Sequence, residues 1–253
     1  MPVSGQGELL RAQALSFGYG AEPILGNVDL SIGPKEFVAL VGPNGSGKST
    51  LLKILLGLLK PDSGSVELFG VEPSRFRERW RLGYVPQRPS LGRELPATVQ
   101  EVVSMGRLSR VGWRARQRPA DRREVEHALQ SVALFELRSR PINELSVGQQ
   151  QRAFIARAFA SSPELLVLDE PIAGVDTESQ QRFRDSLAHL RREHGSAVLL
   201  VSHELGAVAE DLDRVIVLKG AVVFDGSPKE LVAQGVSLGV HGEDLPLWLE
   251  RLG

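Results

Sequence analysis

The chain has 253 residues, 42% of them apolar, enough core for one large α/β domain or a domain with a sub-domain. Its 30 basic and 31 acidic residues leave a formal charge of -1, so the electrostatic footprint of a nucleic-acid binder is missing and no nucleic-acid partner is expected. It has no cysteine, which excludes disulfides and thiolate metal sites.

The first residues, Met1-Pro2-Val3-Ser4-Gly5-Gln6-Gly7-Glu8, have no basic stretch followed by an apolar one, so no secretory signal is expected. No run approaches the ~18 apolar residues of a membrane span. A soluble protein is expected, able to sit on a membrane through a partner. Residues 8–17 and 26–32 read as strands of an antiparallel sheet. Phe37-Val38-Ala39-Leu40-Val41 reads as a buried strand and Leu51-Leu52-Lys53-Ile54-Leu55-Leu56 as a helix.

Between them stand Gly42-Pro43-Asn44-Gly45-Ser46-Gly47-Lys48-Ser49-Thr50, which satisfy the phosphate-loop pattern G-x-x-x-x-G-K-[ST]. Glycines let the backbone curl so that successive N–H groups point at phosphate oxygens. Lys48 brings a point charge to the β- and γ-phosphates, and the Ser49 hydroxyl is a ligand for Mg²⁺. The strand before and the helix after are the context this loop needs.

Leu82-Gly83-Tyr84-Val85-Pro86 reads as a further strand, followed by the polar Gln87. Residues 88–140 lack strand-like runs and carry much charge. Arg107, Arg110, Arg114, Arg116, Arg118, Arg122 and Arg123 cluster around a single acid, Asp121. An inserted helical sub-domain is predicted. Its basic residues form a solvated face or one that meets lipid headgroups or an acidic partner, and the solvated face is the favoured reading.

Leu145-Ser146-Val147-Gly148-Gln149 places Ser146 as the N-cap of a helix over 150–159. A helix N-terminus with a small, flexible residue is an anion site. With one phosphate loop already present, a second anion site suggests that two chains sandwich the nucleotide. Leu165-Leu166-Val167-Leu168-Asp169-Glu170 is a buried strand ending in two acids, at the strand end where open α/β sheets bind ligands. Asp169 is the candidate to hold Mg²⁺, directly or through water. Glu170 is the candidate general base for the attacking water. A helix is predicted over 178–193. The strand Ala197-Val198-Leu199-Leu200-Val201-Ser202 follows, then His203, which alone of the five histidines ends a strand beside the presumed site. Residues 214–225 read as a hairpin with a Lys219-Gly220 turn. His241 lies in a tail with acids, but one histidine is too little for a metal site. The core therefore reads as α/β, a mainly parallel sheet with covering helices.

Taken together, the loop at 42–50, Gln87, the segment 145–149, the acids at 169–170, Gly174-Val175-Asp176 and His203 stand in the order and approximate spacing of an ATP-binding-cassette ATPase. The resemblance covers about residues 8–228. It implies a P-loop core over 8–87 and 141–228 with an N-terminal antiparallel β sub-domain, a helical sub-domain over 88–140 and a C-terminal tail over 229–253. It implies that Tyr19 stacks on adenine, a role for which Phe17 competes. It implies that Gln87 senses Mg²⁺ and water and couples to a membrane subunit. Ser146 and Gly148, within the signature Leu145 to Gln149, contact the γ-phosphate bound to the opposite protomer. Glu170 is the base, Asp176 contacts the partner chain and His203 holds the γ-phosphate.

Two departures stand out. Val147 occupies a position that is usually Gly, and Pro171-Ile172 stands where Pro-Thr is usual. The Val147 side chain either crowds the γ-phosphate or is directed away from it. Activity is expected to survive because Ser146 and Gly148 remain.

Gly83-Tyr84-Val85-Pro86-Gln87, Leu95-Pro96-Ala97-Thr98-Val99, Ala173-Gly174-Val175-Asp176 and Val201-Ser202-His203-Glu204-Leu205 are similar to the zinc/manganese importer subgroup. Haem, siderophore and cobalamin importer ATPases are close relatives. The resemblance implies Mg·ATP as substrate, a head-to-tail dimer with a second copy of the chain, and integral membrane permease subunits as partners. It further implies an extracytoplasmic solute-binding protein acting indirectly, and a place at the cytoplasmic face of the cell membrane. Non-transport cassettes of DNA repair carry long coiled coils between loop and signature. Ile142 lies only 94 positions after Lys48 here, without sustained heptads.

Overall fold

The computed structural model describes residues 7–87, 97–111, 118–171, 177–202, 205 and 208–234. In chain order the elements are β1 (Leu10–Tyr19), β2 (Glu22–Ile32), β3 (Phe37–Val41), α1 (Lys48–Leu55), β4 (Ser63–Leu68), β5 (Leu82–Val85), α2 (Val99–Val111), α3 (Pro119–Ser131), α4 (Val147–Phe159), β6 (Leu165–Asp169), α5 (Thr177–His194), β7 (Ala197–Val201), β8 (Arg214–Leu218), β9 (Val222–Gly226) and α6 (Pro228–Ala233). They fall into two compact units, one running to Arg77 and resuming at Ala197, the other Glu78–Ser196.

The first unit holds a three-stranded sheet, β2-β1-β4, and the strand set β7-β3-β8-β9. β1 and β2 are antiparallel, as their sequences suggest. β4 was not legible: only Val66 and Leu68 of its six residues are buried, and two serines, a glycine and Glu67 supply the rest. It forms because β1 offers a free edge, pairing Leu10 with Leu68 and Ala12 with Val66. β3 runs parallel to both β7 and β8, and all ten residues of β3 and β7 are buried. Strands covered on both faces carry no polar alternation, which is why their sequences are continuous apolar runs. β8 and β9 form the expected hairpin, turning through Gly220 at φ 73°.

In the second unit β5 and β6 are parallel, in register from Leu82 opposite Leu165 to Val85 opposite Leu168. Their N-terminal ends are clamped. Arg81 donates from Nε and Nη2 to the two carboxylate oxygens of Glu164 at 2.6 and 2.9 Å, and the Glu164 N–H donates to the Arg81 carbonyl. α4 buries Ala153, Phe154, Ile155, Ala156, Ala158 and Phe159, each fully buried large side chain stabilising by about 1.5–3 kcal/mol.

The arginine cluster divides. Arg107 is a core residue, 6% exposed, with Nε and Nη2 on one oxygen of Asp121 at 3.1 and 2.7 Å and Nη1 on the Ala160 carbonyl at 2.9 Å. It thereby joins α2, α3 and the end of α4, and does not belong to any surface patch. Arg110 lies over the Trp80 ring, 4.5 Å from its centroid. Arg118, Arg122 and Arg123 are exposed, in keeping with a solvated face. Arg114 and Arg116 lie outside the described residues.

Candidate active site

In the first unit, β3 delivers the chain into the glycine loop. Gly42 is fixed by close approach: a Cβ there would stand 2.2 Å from the Leu218 carbonyl oxygen and 2.9 Å from Ser46 Oγ. Gly47 has φ 95°, a conformation that other residues adopt only with strain, and it starts α1 at Lys48, three residues before the helical run read from sequence. No side chain caps α1, and its first turn has no acid. The helix dipole therefore faces the loop without a competing negative charge.

Lys48 is 8% exposed. Its Nζ donates to the carbonyls of Gly42 and Pro43 at 2.7 and 2.9 Å, so the ammonium is held inside the loop it is to serve. Ser46 Oγ is buried and has no hydrogen-bond partner. The loop is braced from outside, since the Gly220 N–H of the hairpin turn donates to the Ser46 carbonyl at 3.1 Å. Ser49 is exposed on the first turn of α1, where its hydroxyl is accessible. Tyr19 is 53% exposed and Phe17 only 9%, the two rings meeting edge to face at 5.0 Å. Of the two aromatics competing to stack on a base, Tyr19 is therefore the accessible one.

In the second unit, the parallel pairing of β5 and β6 brings their C-terminal ends side by side. Gln87, two residues past β5, donates from Nε2 to Glu170 Oε2, one residue past β6. Glu170 has φ 46°, a left-handed backbone in a residue with a full side chain. Such strain concentrates at functional sites. Asp169 ends β6, half-buried. The Tyr84 hydroxyl is pushed above its ordinary pKa by burial and, secondarily, by the charge of Asp169.

The signature segment begins α4 with a capping box. Ser146 Oγ accepts the Gln149 N–H at 3.2 Å, and Gln149 Oε1 accepts the Ser146 N–H at 3.0 Å. Leu145 is buried, and its carbonyl accepts from Gln150 Nε2 at 3.0 Å. Val147 is 83% exposed, the most exposed large apolar side chain among the described residues, so it does not pack against its own chain. His203 and Asp176, with Gly174 and Val175, lie outside the described residues.

Sequence reasoning missed the unpartnered Ser46 hydroxyl, the strained Glu170 backbone and the Arg81–Glu164 clamp. The first is one residue within a recognised motif and no residue type marks it. The clamp joins positions 83 apart and leaves no local signal.

Residues 25–173 match the family described as ABC transporter. The chain belongs to the ABC transporter family. Its relatives in that family include the zinc uptake system ATP-binding protein ZurA of Listeria monocytogenes, 41% identical over 224 residues that cover 88% of this chain and 87% of that protein. The manganese transport system ATP-binding protein MntB of Halalkalibacterium halodurans is 37% identical over 237 residues, covering 94% and 90%. Among solved structures the chain is similar to cbiO1 from Clostridium perfringens, described as part of the ABC transporter complex cbiONQ. That likeness has a TM-score of 0.79 at 29% identity and covers 98% of each chain.

As an ABC transporter ATPase, the chain binds and hydrolyses ATP. No helix among its described residues is long and apolar enough to cross a membrane. Within an ABC ATPase the contact at Gly42 has a direct consequence. Gly42→Ala forces β3 and β8 apart or distorts the loop, overpacking that costs about 1–3 kcal/mol. The expected outcome is a lower melting temperature together with at least a tenfold loss of ATP affinity, read by equilibrium nucleotide binding.

Proposed function

We propose that the chain is the ATP-hydrolysing, energy-coupling subunit of an importer for a divalent metal ion, zinc or manganese. One observation carries the substrate class: the chain is about 40% identical, over nearly its whole length, to the ATP-binding subunits of both a zinc uptake and a manganese transport system. The chain is a peripheral subunit at the cytoplasmic face of the membrane, held there by integral membrane permease subunits. A solute-binding protein delivers the cargo to that permease. Residues 8–87 and 141–228 are the nucleotide-binding core, 88–140 the helical sub-domain that meets the permease, and 229–253 a tail.

The residue roles follow from chemistry. Gly42 to Thr50 wrap the triphosphate with backbone N–H groups, and Lys48 exchanges its two carbonyl partners for phosphate oxygens. The buried, unpartnered Ser46 hydroxyl suits a loop waiting for an anion. Tyr19 stacks on the adenine. The Ser49 hydroxyl and the Asp169 carboxylate are hard oxygen donors, the type Mg²⁺ takes, and Gln87 adds an amide oxygen. With Mg²⁺ bound, charge developing on the β- and γ-phosphate oxygens is neutralised. Glu170 accepts the proton of the attacking water, Gln87 orients it, and His203 holds the γ-phosphate.

Leu145 to Gln149 address the ATP of a second copy of the chain, and Asp176 contacts that copy. The exposed Val147 supports this, because an apolar side chain at the first position of a helix otherwise faces water alone. Closure of the head-to-tail pair over two nucleotides, and its reopening after hydrolysis, drives the permease.

Deleting the protein in its host is expected to stop growth under metal chelation, with rescue by zinc or by manganese. Rescue by haem or a siderophore instead overturns the metal reading while leaving the ATPase intact.

A further inference from the structure

The second unit carries three histidines and a glutamate that the ATP chemistry does not use. Glu124 and His127 lie three residues apart on α3, hence on one face. His189 and His194 come from α5. One ligand atom each of Glu124, His127 and His194 lie within 4.8 Å of one another. They line a cavity of about 10 Å³ with His189, Phe159 and Leu190, room for roughly one water-sized sphere.

Two supporting hydrogen bonds are already in place. Ser162 Oγ donates to Glu124 Oε2 at 3.2 Å. The Nε2 atoms of His127 and His189 are 2.9 Å apart, one ring donating to the other. Metal-bound imidazoles and carboxylates usually have such partners, which hold the ligand in one orientation.

We propose that Glu124, His127 and His194 form a binding site for Zn²⁺ or a similar borderline transition-metal ion, with His189 and Ser162 positioning the ligands. Two imidazoles and a carboxylate with one open position for water is a zinc ligand set, and imidazole nitrogen disfavours Mg²⁺ and Ca²⁺. Tetrahedral bonds of 2.0–2.2 Å put ligand atoms about 3.3 Å apart, so each of the three groups draws in by at most about 1 Å on binding. His194, exposed in the last turn of α5, has the freedom to make that movement. The ion then ties α3 to α5 at a further point, beside the His127–His189 contact and the bond from Ser186 Oγ of α5 to the Ser131 carbonyl at 2.7 Å. The site is independent of which solute the transporter carries.

The test is Zn²⁺ titration of the full chain by calorimetry, with Mg²⁺ in large excess to saturate the nucleotide site. One tight Zn²⁺ per chain is expected, with a rise in melting temperature. His127→Ala and His194→Ala should each weaken binding by about 100-fold, and Ser162→Ala and His189→Ala by about 10–100-fold. Co²⁺ in place of Zn²⁺ should give the intense visible absorption of tetrahedral coordination, lost in His194→Ala. His194 is exposed, so that variant is expected to fold and decides the matter even if His127→Ala does not. No Zn²⁺ bound above the Mg²⁺ background, or equal affinity in wild type and His194→Ala, overturns the site.

Discussion

Glu170→Gln is expected to lower ATP turnover by about 10²–10⁴, the range a general base supplies, while leaving ATP affinity nearly unchanged. The substitution keeps the shape of the side chain and removes only its capacity to take a proton. The Gln87 amide now donates to a Glu170 carboxylate oxygen, and a glutamine at 170 still presents an amide oxygen to it. The local backbone, held at φ 46°, has no reason to relax. Because binding persists without cleavage, ATP should trap the variant as a dimer, seen by size-exclusion chromatography with and without nucleotide. Normal turnover by the variant would remove Glu170 from the base role. A monomer at saturating ATP would instead count against the two-chain site.

The largest stability effect is expected at Arg107. Arg107→Ala strands a carboxylate, Asp121, that is 3% exposed, and breaking a buried pair from one side costs about 3–5 kcal/mol. A loss of that size corresponds to a fall in melting temperature of roughly 10 °C for a protein of this length. The double variant Arg107→Met with Asp121→Leu should lose far less, because apolar groups of similar volume leave no charge uncompensated. Thermal unfolding of the three proteins decides it.

The same pair has a pH signature. Hydrogen bonds from Arg107 hold the Asp121 carboxyl below its ordinary pKa, and burial opposes them less strongly. A carboxyl depressed in the folded state stabilises fully above its unfolded pKa of about 3.9 and loses that contribution as pH falls through the folded value. Asp121→Asn should therefore be less stable than wild type at neutral pH, with the gap narrowing below about pH 4.

The arginines show where reading composition stops. Seven of them around a single acid look like a basic face, and Arg118, Arg122 and Arg123 do stay at the surface. Arg107 has the same charge and leaves the surface because Asp121, fourteen positions on, and the Ala160 carbonyl, fifty-three on, converge on it. β4 failed in the opposite direction: its strand character lies in the edge that β1 offers, not in Ser63-Gly64-Ser65. The histidines of α3 and α5 were passed over for a related reason. Each looks like an isolated polar residue until the helices pack, since His127 and His189 are 62 positions apart.

The glycine loop, the Ser146 cap and the strand ending in Asp169 and Glu170 were determined by the sequence alone. Each is closed within about ten residues, so residue type and spacing already specify the backbone and the chemistry. The family resemblance rests on those same local blocks. Only the tertiary structure decided that Gln87 touches Glu170, that Arg107 lies in the core, that Val147 faces outward and that three histidines gather around one small cavity. Those facts depend on pairing and burial between distant segments. A charge or a ring has the same identity in the sequence whether its partner is present or not, and its free energy is set only when packing brings that partner into contact.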